Sequence, residues 1–135
     1  MRAFVLHLAI LLATPLTLPA QTQAGMNQAA GNQYAAADQK LNTVYRQVQQ
    51  AYGKNPVFLK NLQAAQRIWL KYRDAEVALR FPDRPAGYYG SLLPVCKGNY
   101  LTELTEARTR HLAEWLKPAV EGDGCSGTLG EFESQ

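Results

Sequence analysis

Helical period in the apolar residues constrains this chain more than any other feature. Ala30, Tyr34, Ala37, Leu41, Val44, Tyr45, Val48 and Tyr52 recur at steps of three and four, which places them on one helix face. Thr22 is positioned as the N-cap and Gly53 as the stop, so a helix of about 22–52 is expected. Asn55-Pro56 then reads as a cap followed by a proline in the first turn. Phe58, Leu62, Ala65, Trp69, Tyr72, Ala75 and Leu79 form a second stripe, ended by Pro82 and Pro85. A Pro- and Gly-rich loop over 82–98 follows, with a short helical turn expected over 91–97 and Gly98-Asn99 read as a break and cap. The third stripe carries Leu101, Leu104, Leu112, Trp115 and Leu116 and stops at Pro118. Nowhere do β-branched residues alternate as a strand requires. The fold class predicted is therefore all-α: an antiparallel bundle of two long helices and one shorter helix.

The termini are read from composition. Arg2 precedes the apolar run Ala3–Ala13, and Thr14, Pro15 and Pro19 lead to Ala20. This is the pattern of a secretory signal peptide, with cleavage near Ala20 or after Ala24, and the run is too short for a stable membrane span. The expected organisation is a signal peptide at 1–20, a helical domain at 21–117 and a tail at 118–135. From Ala119 onward there are four acids and no base, and six of seventeen residues are Gly or Ser, so the tail is expected to be flexible. The location expected is periplasmic or secreted.

Charge narrows the function classes. There are 14 Lys+Arg against 11 Asp+Glu, too mixed a balance for a nucleic-acid binder. Two His and two Cys supply no metal-binding framework, and no cofactor motif is present. Between Lys40 and Arg84 there are nine bases and three acids, a bias that suits an acidic partner or an anionic surface. His111 has Glu114 three residues on but no nucleophile at a readable spacing, and it reads as a solvated surface histidine. No acid–base or nucleophilic set is visible, so no catalytic residue is expected.

Three groups of residues remain as candidates. Glu76 and Arg108 lie on the inward stripes of helices two and three, and two buried charges argue for each other, with Arg73 or Tyr72 nearby. A structural ion pair is expected there. A lone carboxylate beside an arginine is the wrong environment for a general acid. Tyr88 and Tyr89, with Ser91 close by, sit between Pro85, Gly87, Gly90 and Pro94; aromatics on a stiffened loop are suited to a protein interface. Trp69 and Tyr72 are expected in the core. For Cys96 and Cys125 a disulfide is one reading, and free thiols or an intermolecular bridge are the others. Closure would need the tail to run back along helix three, about 27 Å, almost fully stretched.

Specific phrases resemble a known family. Ala65-Gln66-Arg67-Ile68-Trp69-Leu70-Lys71-Tyr72-Arg73-Asp74-Ala75-Glu76 is similar to the signature AQxxWxxYRDAEC. Gly90-Ser91, Pro94 and Leu101-Thr102-Glu103-Leu104-Thr105-Glu106-Ala107-Arg108 resemble its GSxxP and CLxxLTxxR phrases, and Met26-Asn27 with Ala37-Asp38 and Leu41-Asn42-Thr43-Val44-Tyr45 resemble its start. Together they resemble the lysozyme inhibitor LprI family over roughly residues 22–117. The resemblance implies an exported helical domain without catalysis or cofactor. It also implies a protein partner, either a lysozyme or another peptidoglycan lytic enzyme. An envelope interaction module or immunity-like protein with a different partner is the alternative. Family members commonly carry Cys where this chain has Ala29, Val77 and Tyr100, so the usual crosslinks are absent.

Overall fold

The computed structural model describes residues 22–134. Residues 1–20, read as a signal peptide, lie outside the described residues. Three helices follow one another: α1 Gln23–Ala51, α2 Pro56–Arg80 and α3 Leu93–Ala113. Short 3-10 turns cover Glu114–Leu116 and Glu131–Ser134, and no strand occurs among the described residues. Consecutive helices run antiparallel, so α1 and α3 are parallel, and no helix among the described residues is long and apolar enough to cross a membrane.

The helix ends follow from local chemistry. Thr22 Oγ1 accepts from the Gly25 N–H at 3.1 Å, tying one free donor of the first turn of α1. Asn55 Oδ1 does the same for Phe58 N–H at 2.9 Å, with Pro56 at the first position of α2. Helix α3 starts earlier than the sequence suggested. Pro94 sits in its first turn and Gly98 lies inside it, not at a break. Gly98 is where α3 crosses α1: a Cβ there would sit 3.1 Å from Ala30 Cβ. Ala30 and Ala37 on α1 and Thr105 and Thr109 on α3 are likewise buried. Small residues thus let these two backbones approach closely. Thr109 Oγ1 donates to the Thr105 carbonyl at 2.9 Å, which hides its hydroxyl in the same contact.

The apolar core lies at the closed end, where α1 turns into α2 and α3 ends. Leu41, Val48, Tyr52, Phe58, Leu62 and Leu112 form it, with Trp69, Trp115, Leu116 and Phe132 packed around them. Tyr52 is its centre. Its ring is fully buried, stacked on Phe58 at 3.9 Å between centroids and met edge-on by Trp115 and Phe132. Its hydroxyl lies 3.1 Å from the Trp115 carbonyl and 3.2 Å from the Thr128 carbonyl, and accepts from Gly130 N–H at 3.0 Å.

These bonds correct the expectation of a flexible tail. Residues 118–134 fold as successive turns across the closed end, and Gly130 and Phe132 dock on Tyr52. Glycine content allowed this: Gly122, Gly127 and Gly130 all take positive φ. The same path separates the cysteines. Cys96 lies near the start of α3 and Cys125 in the tail at the other end, and both are free and exposed. The disulfide reading is therefore not realised, because the tail crosses the end of the bundle and does not run back along α3.

Burial pushes the Tyr52 phenol above its ordinary 10.0, with the Gly130 hydrogen bond pulling the other way and the Glu131 charge adding to the rise. The folded state therefore holds this proton longer than the unfolded chain does. Its contribution is full below the unfolded pKa and is lost as pH rises through the folded one. Tyr52→Phe leaves the buried Gly130 N–H unsatisfied and should cost about 1–3 kcal/mol in urea melts at neutral pH. Wild type should also begin to lose stability above about pH 10, while Tyr52→Phe should lose less there. Equal alkaline sensitivity in the two proteins would contradict this.

Candidate functional site

The tryptophan-to-glutamate phrase of α2 forms the seam against α1 and α3. Trp69 is half-buried, with the Arg73 guanidinium 5.5 Å and that of Arg108 5.9 Å from its ring centre. Arg73 donates to Tyr34 Oη on α1 at 3.1 Å and pairs with Asp74 beside it at 2.9 Å. Arg108 Nε donates to Gln66 Oε1 at 3.0 Å. Glu76 accepts from the Tyr100 hydroxyl at 3.0 Å, and Arg80 covers the Tyr100 ring at 4.2 Å. The Glu76 hydrogen bond is the main reason the Tyr100 phenol lies above its usual value. Long polar and aromatic side chains, not an apolar stripe, hold the second half of α2 in place.

Two sequence expectations are corrected here. The first is the Glu76–Arg108 pair, which does not form. Helices α2 and α3 are antiparallel, with Glu76 level with Tyr100 and Gln66 level with Arg108. Arg108 is eight residues past Tyr100, about 12 Å further along the helix axis. The second is the placement of Tyr72 in the core. Tyr72 is 53% exposed, and so are Ile68 at 67% and Leu79 at 76%. They share an outward apolar stripe with Val57, next to Lys60, Arg67 and Lys71. Tyr100, at a position where the resemblance implies a cysteine, lies in the same seam, and its bond to Glu76 ties the two helices at that level.

The aromatic loop divides in two. Tyr89 folds back: its hydroxyl donates to the Pro82 carbonyl at 2.9 Å and its ring meets Phe81 edge-on at 6.1 Å. Tyr88 stays 66% exposed, with its ring against Tyr89 at 4.9 Å and Arg84 above it at 5.6 Å. Gly87 at φ 84° and Gly90 at φ 70° make the two turns that present it. Ser91 is exposed at the end of this loop.

Sequence reasoning missed a cavity beside the closed end. It holds about 370 Å³ and is lined by Val57, Phe58, Leu62 and Ala65 of α2, by Arg108 and His111 of α3, by Trp115 of the 3-10 turn that follows it, and by Thr128 of the tail. His111, read as an ordinary surface residue, stands on its wall. The signal is Ala65, a small residue between Leu62 and Trp69 in the stripe. No group of three or more His, Cys, Asp or Glu among the described residues is placed to hold a metal ion.

Separate Ala substitutions at Glu76 and Arg108 should cost stability independently, so the double variant should equal their sum within about 0.5 kcal/mol. Tyr100→Phe with Glu76→Gln should instead be less than additive. Strong coupling between Glu76 and Arg108 in denaturant melts would show that the seam is wrongly assigned.

The family model described as Lysozyme inhibitor LprI matches residues 17–112. An uncharacterized protein of Rhizobium meliloti (strain 1021) is 35% identical, over 74% of this chain and 78% of its own length. No solved structure matches the chain.

Proposed function

The chain belongs to the lysozyme inhibitor LprI family, and on that premise we propose that it is an exported, non-catalytic binding protein that blocks a lysozyme or another peptidoglycan lytic enzyme. The family match over residues 17–112 carries this reading. Export rests on the Arg2 and Ala3–Ala13 pattern of the leader.

The partner surface we assign is the loop around Tyr88. A large aromatic held on two glycine turns buries much area at little entropic cost. Many lysozymes are cationic, and the basic stretch of 40–84 would oppose their approach. The Tyr88 ring supplies apolar contact area that does not rely on charge, although Arg84 of that stretch lies over it. Tyr89 supports the loop from behind, through Pro82 and Phe81. A second reading, an envelope interaction module with a different partner, is favoured by the outward stripe of Ile68, Tyr72 and Leu79 beside its basic flank.

Turbidity assays of cell-wall lysis with several lysozyme types separate the two. Inhibition of at least one type at micromolar protein is expected, and Tyr88→Ala should weaken it by about tenfold or more with little change in melting temperature. Tyr89→Ala should lower the melting temperature as well. Unchanged lysis with every type would favour the interaction module.

A further inference from the structure

The cavity at the closed end has a chemistry of its own, independent of any protein partner. Its volume of about 370 Å³ falls in the range of small-molecule pockets. At interior packing density it has room for on the order of ten to fifteen non-hydrogen atoms. Phe58, Leu62 and Trp115 give it apolar walls, and no acidic residue lines it.

Arg108 defines what fits. Burial holds its pKa below the ordinary arginine value, with Tyr45 acting in the opposite direction. Its one hydrogen bond among the described residues runs from Nε to Gln66. No carboxylate of the described residues lies within ion-pair distance of it. A partly desolvated guanidinium without a counter-charge is costly, and its planar fork matches a carboxylate. Amines are repelled by that charge, alcohols forgo the charge-assisted bond, and small inorganic anions leave the apolar walls uncovered.

The geometry points to a binding site for a small monocarboxylate with an apolar chain. Its carboxylate sits on Arg108 and its chain lies against Phe58, Leu62 and Trp115. His111 and Asn61 stand on the same walls and offer further polar contacts. This assignment does not depend on lysozyme inhibition, and its ligand is small enough to leave Tyr88 free at the opposite end of the molecule.

Calorimetric titration with octanoate, octanol and octylammonium tests it on the purified protein. Octanoate should bind, octanol about tenfold more weakly or less, and octylammonium not measurably. Arg108→Gln should weaken octanoate by about tenfold while leaving octanol unchanged. Ala65→Trp, at an exposed helix position, fills the cavity with Arg108 retained and should abolish binding of both. It decides the matter even if Arg108→Gln proves unstable. Octanol binding as tightly as octanoate would overturn the proposal, as would octanoate binding that survives Ala65→Trp or is absent at millimolar concentration in wild type.

Discussion

The buried phenol of Tyr52 organises the closed end of this molecule. It ends α1, stacks on the first turn of α2, meets the last turn beyond α3 and fastens the tail through Gly130. A ring this deeply buried is stable only if its hydroxyl finds partners, and here the partners come from segments remote in sequence. One side chain therefore fixes the elbow between the first two helices, the end of the third and the path of the last residues. The cavity beside it follows from the same arrangement, since Phe58, Trp115 and Thr128 line it and also contact Tyr52.

Away from that end, two kinds of packing hold the bundle. Helices α1 and α3 approach through Ala30, Ala37, Gly98, Thr105 and Thr109, where small side chains let backbones come close. Helix α2 stands further off, held by Tyr34–Arg73, Trp69, Gln66–Arg108 and Glu76–Tyr100. The family phrase on α2 is thus mainly the material of a seam. Its one outward aromatic, Tyr72, belongs with Ile68 and Leu79 to a face that none of the described residues covers. A helix fastened by polar contacts along one side exposes more of its apolar surface than a stripe-on-stripe helix does, and that surface lies beside basic residues.

Much of this was legible in the sequence. Thr22, Asn55 and Pro56 marked helix starts because caps act within three residues of themselves. The stripe of α1 gave its buried residues correctly, since that helix is covered along its length. Stripes show which face points inward but not the level of one helix against another, so the sequence suggests a Glu76–Arg108 pair across a gap that the register does not close. Thr105 and Thr109 carry no core signal in the sequence, because hydroxyls do not mark a core, although close helix packing favours small side chains. Gly98 looked like a break for the same reason: only the partner residue Ala30 shows that it is a crossing point. The tail's composition suggested disorder, yet Phe132 at its end is enough to dock it. Of the loop aromatics, the sequence could not separate Tyr88 from Tyr89, because Pro82 supplies the acceptor that draws one of them inward.

Helix α2 is bound firmly at the Tyr52 end, whereas beyond Trp69 it is held by isolated polar and aromatic side-chain contacts. Native-state amide hydrogen exchange tests this most directly, because it resolves the opening of each part of one helix. Amides of α2 from Leu62 to Trp69 should exchange nearly as slowly as those around Val48 and Leu112. Those from Arg73 to Arg80 should exchange through a separate opening of lower energy. Uniform protection along the whole of α2, matching that of α1 and α3, would contradict the account.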